Sequence, residues 1–337
     1  MQFKRVSVDT SKSVFTVHAI DESDVPIVQR DFSRAQFKVF FSKLKATQVV
    51  MEACGGAHYW GRVLAAMGHE VKLIPPQYVK PFVKRTKNDR NDAAAISEAA
   101  SRPDMRYVPV KSAEIQADGI ELTSRTMLVD QRTSLINALR GHAAEFGVVS
   151  AKGQHLAGKL LELIAESDEV PAAAKAALAQ IGEQIRYLDG QLKAMERRLA
   201  QRHKANAVSQ LLSAIPGIGV ISSLTLAVHV DPKQFKSARH FSAWLGLTPK
   251  QRSSGGKQRL GSITKAGNQR IRTLLVVGAM TVIRHAAKGG KCGTLWLQSL
   301  LGRRPKKLAA VALANKMARI AWAMMTTGEE YRHPARA

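Results

Sequence analysis

Carboxylates are missing from a long stretch of this chain. Between Pro232 and Gly328 there are 19 lysines and arginines and neither an aspartate nor a glutamate. A solvated surface normally mixes both signs, so such a stretch points to phosphate contact. Cysteine is scarce as well. Cys54 and Cys292 are the only two, far apart and in no C-x-x-C arrangement. That excludes a zinc knuckle and a disulfide scaffold, and it fits a reducing cytoplasm. No apolar run suggests a bilayer span, and Phe3-Lys4-Arg5-Val6 leads into a strand pattern rather than a signal peptide. The expectation is a cytoplasmic protein without a membrane partner.

What is present is charge. The chain has 337 residues, enough for two or three domains, and a net charge of 51 − 26 = +25. A balance this basic implies a polyanion, with nucleic acid the first choice and an anionic membrane the second. Residues 4–32 alternate like strands, Gln48-Val49-Val50-Met51 and Glu70-Val71-Lys72-Leu73-Ile74 read as buried strands, and helical text lies between and after them. The alternation predicts an α/β domain with a partly parallel, mixed sheet.

Four carboxylates in that domain stand where chemistry is usually placed. Asp9 and Glu52 lie at the C-terminal ends of expected strands, where ligands bind in open α/β sheets. Lys87-Asn88-Asp89-Arg90-Asn91-Asp92 opens an Ala-rich helix, and Asp89 and Asp92 share a face at i, i+3. Taken alone, Asp89 or Asn91 is a helix cap and Asp92 complements the dipole. If the four converge, their mutual repulsion calls for a cation. All-oxygen ligands suit Mg2+ or Mn2+, and on so basic a chain this suggests metal-assisted work on a phosphodiester.

The rest of the chain reads as mainly helical. A long helix is expected over 111–146. In the next one but one, Leu178, Ile181, Ile185, Leu188, Leu192, Met195 and Leu199 alternate spacings of three and four. That seam is either one face of an intramolecular hairpin or a dimer-forming coiled coil, weakened by Gly182 and Gly190. Pro216-Gly217-Ile218-Gly219 links two apolar helices as in helix–hairpin–helix modules, where Gly217 and Gly219 would present amides to a backbone phosphate. The loop from Lys250 to Gly261 sets Ser253 and Ser254 among Lys250, Arg252, Lys257, Arg259 and two glycines, and Lys265, Asn268 and Arg270 follow. A serine among cations can attack a phosphate, because the cations hold it and stabilise developing charge. No GxSxG elbow appears, which argues against an acyl hydrolase. The expected organisation is 1–110 catalytic, 111–205 a helical linker and coiled-coil dimerisation region, 206–328 a C-terminal domain with the helix–hairpin–helix-like motif and serine loop, and 329–337 a tail.

These residues carry a resemblance. Val-Asp-Thr-Ser-Lys around Asp9, Met-Glu-Ala-Cys-Gly-Gly around Glu52, and Lys-Asn-Asp-Arg-Asn-Asp-Ala around Asp89 and Asp92 match an acidic tetrad. Ser253-Ser254-Gly255-Gly256 through Lys265-Ala266-Gly267-Asn268 match a serine loop. The chain resembles the DEDD transposases of a bacterial insertion-sequence family, related to the Piv DNA invertase. The resemblance covers nearly the whole chain. It implies an RNase H-like or Holliday-junction-resolvase-like first domain and Ser254 as nucleophile, since the family's serine immediately precedes glycine, with Ser253 the alternative. It further implies a transient serine–DNA link, a Holliday-junction route, a structured non-coding guide RNA pairing with donor and target DNA, and a homo-oligomer, dimer or tetramer. In such a tetramer the acidic site and the serine come from different protomers. The expected place is the bacterial cytoplasm, associated with the nucleoid.

Two other readings compete. A metal-dependent Holliday-junction endonuclease would need only the tetrad and leave the serine loop idle. A non-catalytic DNA- or RNA-binding protein would explain the charge and Pro216–Gly219 but not four placed carboxylates.

Overall fold

The computed structural model describes residues 3–84, 88–252, 257, 259–288 and 294–332. The chain divides into two compact units, Met1–Ala117 and Asp118–Ala337.

In the first unit the strands are β1 (Arg5–Thr10), β2 (Val14–Ile20) and β3 (Pro26–Ser33), then, after α1 (Arg34–Ser42), β4 (Gln48–Glu52), α2 (Ala57–Ala66) and β5 (Glu70–Ile74). They form one sheet in the order β3-β2-β1-β4-β5. β1–β2 and β2–β3 are antiparallel, while β1–β4 and β4–β5 are parallel. The short α3 (Pro76–Val79) leads on to α4 (Asp89–Ala100), and α5 (Ala113–Ala144) starts at the end of the unit. Ser33 ends β3 and caps α1 through a reciprocal capping box with Gln36.

Strand alternation sorts the two sheet faces. Val6, Val8, Val49 and Met51 join Phe15, Phe37, Phe41, Trp60 and Leu64 in one core. Phe15 stacks on Phe37 at 4.7 Å and meets Trp60 edge-on at 4.9 Å. Val50 and Ile74 pack instead with Ala95, Ile96 and Ala99 of α4. Arg5 fixes that helix from below: its Nη1 donates to the Ser97 carbonyl at 2.8 Å and its Nε to Gln48 Oε1 at 3.2 Å. Arg5, Ser7 and Asp9 therefore share the α4 face, as do Gln48, Val50 and Glu52.

The second unit holds most of α5 and α6 (Ala157–Glu166), α7 (Ala172–Ala205), α8 (Ala207–Ser213), α9 (Val220–His229) and α10 (Ala238–Trp244). A two-stranded ribbon follows, β6 (Pro249–Gln251) with β7 (Leu260–Ile263), then α11 (Gln269–Ala287), α12 (Leu295–Arg303) and α13 (Lys306–Thr327).

The α7 seam is buried within the chain. Leu178 and Ile185 pack with Ile136, Leu139 and Ala143 of α5 and with Leu160 and Ile164 of α6, and Leu199 packs with Leu122 and Leu224. Ion pairs run along the α5–α7 hairpin: Arg198–Glu121 at 2.7 Å, Arg125–Glu196 at 2.6 Å and Arg132–Asp189 at 2.6 Å, with Arg202 on Asp118. Rising numbers on one helix meet falling numbers on the other, so the two are antiparallel. Of the two readings open in the sequence, the intramolecular hairpin is the one realised, because α5 and α6 already cover the apolar stripe that a second protomer would need. Gly182, expected to weaken the helix, has a packing role: a Cβ there would lie 2.6 Å from Leu161 Cδ1.

α13 passes a bilayer-span test by length and composition, against the expectation that no segment would. Its Ala309, Ala310, Ala314, Ala318 and Ala321 are nevertheless buried in the core with Ile271, Leu275 and Ala279 of α11. Small residues allow this close helix contact, and the same composition raises the hydropathy.

Candidate active site

Asp9 is the penultimate residue of β1 and Glu52 the last of β4. The strands are parallel neighbours and both residues lie on the α4 face. The cap of α4 is Asn88, whose side chain accepts from the Asn91 amide at 2.7 Å. The cap is thus neither Asp89 nor Asn91, the two residues that the sequence suggests for it. With Asn88 in that role, Asp89 and Asp92 occupy the first turn, favourably placed against the dipole. Oxygens of Asp9, Asp89 and Asp92 lie within 4.8 Å of one another. Asp9 and Asp92 are half-buried and Asp89 is exposed.

The electrostatics bear on the use of the cluster. The Asp9 carboxyl is raised to about 6, first by burial, then by the negative charges of Asp92, Asp89 and Glu52, against a lowering hydrogen bond from the Thr10 backbone. Glu52 thus acts on the same group, although its oxygens are not among those within 4.8 Å. An all-carboxylate set whose central member is destabilised as an anion fits a hard divalent cation, which would relieve the repulsion.

Beside this cluster lies a cavity of about 570 Å3, lined by Thr10, Ser11, Lys12, Arg34, Cys54, Gly55, Gly56, Tyr59 and Trp60. Sequence reasoning missed it. The only signal was the adjacency of its residues to Asp9 and Glu52.

In the second unit the basic residues are arranged on and beside the ribbon. Lys250, Arg252, Lys257, Arg259 and Lys265 are exposed. Ser253 and Ser254 lie outside the described residues. The Arg252 amide donates to the Arg259 carbonyl at 2.8 Å, so these two residues pair just beyond the named strands. The ribbon's root is tightly held. Gly246 and Gly267 both have left-handed backbone, and a Cβ on either would overlap backbone of the other's segment. The buried Arg272 donates to the carbonyls of Leu245 at 2.9 Å and Ala266 at 2.7 Å.

Two residues expected to touch nucleic acid have structural work. The Asn268 side chain caps α11, accepting from the Ile271 amide at 3.0 Å. Arg270 donates to the Thr123 hydroxyl at 3.1 Å and to the Leu122 carbonyl. Pro216–Gly219 does join two helices, α8 and α9. Gly217, at φ 89°, lies so close to Gly278 of α11 that a Cβ would sit 2.8 Å from the Gly278 carbonyl oxygen. Gly219 is exposed at the start of α9, and among the described residues nothing lies within 4 Å of where a Cβ would be.

Comparison with known proteins agrees with these features. The DEDD transposase domain of the IS110 type matches residues 6–147, and the IS116/IS110/IS902 transposase family matches residues 209–291. The chain is 48% identical over 333 residues to a protein of Sinorhizobium fredii with a provisional transposase name, covering 98% of this chain and 86% of that one. It is 42% identical over 332 residues to the transposase for insertion sequence element IS1111A of Coxiella burnetii, covering 98% and 91%. The pilin gene-inverting protein of Moraxella lacunata is more distant, 23% identical over 249 residues, covering 69% and 66%. With both family domains matched and full-length relatives at this identity, the chain belongs to the IS110/IS116/IS902 family of insertion-sequence transposases.

Proposed function

We propose that this transposase cuts and rejoins DNA strands of its own insertion sequence with a divalent-cation site formed by Asp9, Glu52, Asp89 and Asp92 and a serine nucleophile, Ser254 with Ser253 as the alternative. The observation that carries the reading is the approach of the Asp9, Asp89 and Asp92 carboxylates within 4.8 Å. The mixed sheet beneath them supports the RNase H-like, resolvase-like view of the first unit.

Asp9, Asp89 and Asp92 would hold Mg2+ or Mn2+, with Glu52 adding charge from the neighbouring strand. Such an ion, when bound, draws charge from phosphate oxygens and from a leaving oxygen. Asp9 must give up its proton for this, and the raised affinity of that carboxyl for protons makes binding favour neutral pH. The serine oxygen forms a bond to phosphorus as its proton passes to solvent, the bond from phosphorus to the strand's own oxygen breaks, and that oxygen takes a proton from solvent and leaves as a hydroxyl. One phosphodiester replaces another, so resealing needs no ATP. Lys250, Arg252, Lys257 and Arg259 flank the serines in sequence and offer charge to the phosphate.

The partners in this reading are donor and target DNA, a structured guide RNA of the element, and further copies of the chain. The net charge of +25 supports the nucleic acids. Since the α7 seam is covered within the chain, a dimer or tetramer would use other surfaces.

The test is denaturing electrophoresis of the protein incubated with the ends of its element, the adjoining non-coding RNA and Mg2+. A protein–DNA adduct that disappears in Ser254→Ala supports the recombinase. Cleavage without adduct would leave a metal-dependent nuclease, and neither would leave a binding protein.

A further inference from the structure

The cavity at the mouth of α2 faces the sheet side opposite the acidic cluster, yet the two share one edge of the sheet. Thr10 in its wall follows Asp9 directly, and Cys54 in its wall lies two residues past Glu52. Thr10 Oγ1 and Cys54 Sγ are 3.1 Å apart, which ties the ends of β1 and β4 together between the two sites.

The cavity's chemistry is cationic and aromatic. Lys12 and Arg34 are exposed and line it. The Arg34 guanidinium carbon lies 5.1 Å from the Trp60 ring centre and 5.7 Å from that of Phe15, and its Nη1 donates to the Lys12 carbonyl at 3.1 Å. These contacts hold the group in place before any ligand arrives. Tyr59 is 44% exposed at the same wall and edge-on to Trp60 at 5.2 Å. An exposed aromatic beside a fixed guanidinium is a stacking platform beside a phosphate site. Gly55 adds a second sign. A Cβ there would meet nothing within 4 Å and its backbone needs no glycine, so among the described residues no packing reason for the missing side chain exists. Its absence leaves room for close approach from outside.

We infer that this cavity binds one nucleotide of the DNA strand being processed, with its phosphate on Lys12 and Arg34 and its base against Tyr59. The strand would cross the sheet edge from there into the acidic site. Lys12, Arg34 and Tyr59 are positioning residues in this scheme. The inference rests on the proposed function, since it takes the strand in the acidic site as DNA. A volume of about 570 Å3 is in the range of small-ligand sites, which suits one nucleotide and not a duplex.

The test uses the full chain and a single-stranded oligodeoxynucleotide in which thymines are replaced by 5-iodouracil, irradiated with and without Mg2+. Adducted peptides are identified by mass spectrometry. The expected result is a crosslink at Tyr59, retained in Asp9→Asn and lost in Tyr59→Leu. Lys12→Ala should lower the log–log salt slope of binding by about one, and Arg34→Lys should keep the slope while reducing the Tyr59 crosslink. Crosslinks confined to residues 249–265 would overturn the cavity as a DNA site. So would a crosslink at Tyr59 with the matching RNA oligonucleotide and none with DNA. Metal-dependent cleavage persisting alongside either result would leave the proposed function standing.

Discussion

Asp9, near the end of the first strand, and Asp92, in the first turn of α4, bring carboxylate oxygens within 4.8 Å of each other. Neither residue gains stability from this. Asp9 is pushed up to about 6 by burial and then by Asp92 before any other charge. The fold holds two groups together that repel, and a bound cation is what would reverse the sign of that interaction.

Removing one carboxylate should therefore separate activity from stability. Asp9→Asn is expected to lower strand cutting by at least ~10²-fold, since even residues that only support a metal ligand cost 10–100-fold. In EDTA the same variant should melt higher than the parent at neutral pH. A lower melting temperature in EDTA would show that Asp9 has a structural role instead.

The pH dependence has a definite sign. Asp9 titrates near 6 in the folded chain against an ordinary value of 3.8. The folded state holds the extra proton between those values, so stability from this group is full below about 4 and is lost as pH rises through about 6. Because Asp9 is partly exposed, solvent screening limits the loss to about 1–2 kcal/mol. Melting in EDTA at pH 4 and pH 8, parent against Asp9→Asn, isolates this contribution. Added Mg2+ should raise the parent's midpoint at pH 8 and have little effect at pH 5.

The α7 seam gives a different outcome from that expected of an interface between copies. Ile185 is 5% and Leu188 3% exposed within the single chain. Ile185→Asp or Leu188→Asp should destabilise the second unit by about 3–5 kcal/mol, through lost packing and a buried charge. Chemical denaturation read together with light scattering checks it. A halved mass with the unfolding midpoint unchanged would mean that the seam joins protomers after all.

The ribbon's root should tolerate no side chain. Gly267, at φ 66°, would drive a Cβ into the Trp244 carbonyl. Gly267→Ala should destabilise the second unit by about 2–4 kcal/mol. Gly261→Ala, where among the described residues the nearest atom to a Cβ is 3.7 Å away, should stay within about 0.5 kcal/mol. Thermal melts of the pair distinguish a rigid root from a tolerant one.

Salt titration of DNA binding should sort the basic residues. Lys250→Ala, Arg252→Ala and Lys257→Ala should each reduce the log–log slope by about one. Arg270→Ala should leave the slope alone and lower the melting temperature, because its guanidinium serves the Leu122 carbonyl and the Thr123 hydroxyl. A slope that falls for Arg270→Ala would return that residue to the nucleic-acid surface.

The sequence by itself determined the acidic residues, the elements they sit on and the basic character of the C-terminal half. Those follow from local facts: strand alternation fixes which residues share a face, i, i+3 spacing puts Asp89 and Asp92 together, and charge is counted without coordinates. It also determined the helices of the second unit from the period of its apolar residues, but not the β6–β7 ribbon, which stands where the sequence shows only a loop. Tertiary structure decided what each exposed or apolar face meets. An a/d stripe on α7 has the same spacing whether α5 or another copy covers it, and only the fold supplies α5. Arg270 has the same charge on a phosphate or on the Leu122 carbonyl. The cavity beside Asp9 draws its walls from the ends of two strands and the starts of two helices, and no local spacing encodes their meeting. Asn88 rather than Asp89 caps α4 because the helix begins at Asp89, and where it begins is set by the packing of Ala95, Ile96 and Ala99 against the sheet, not by composition.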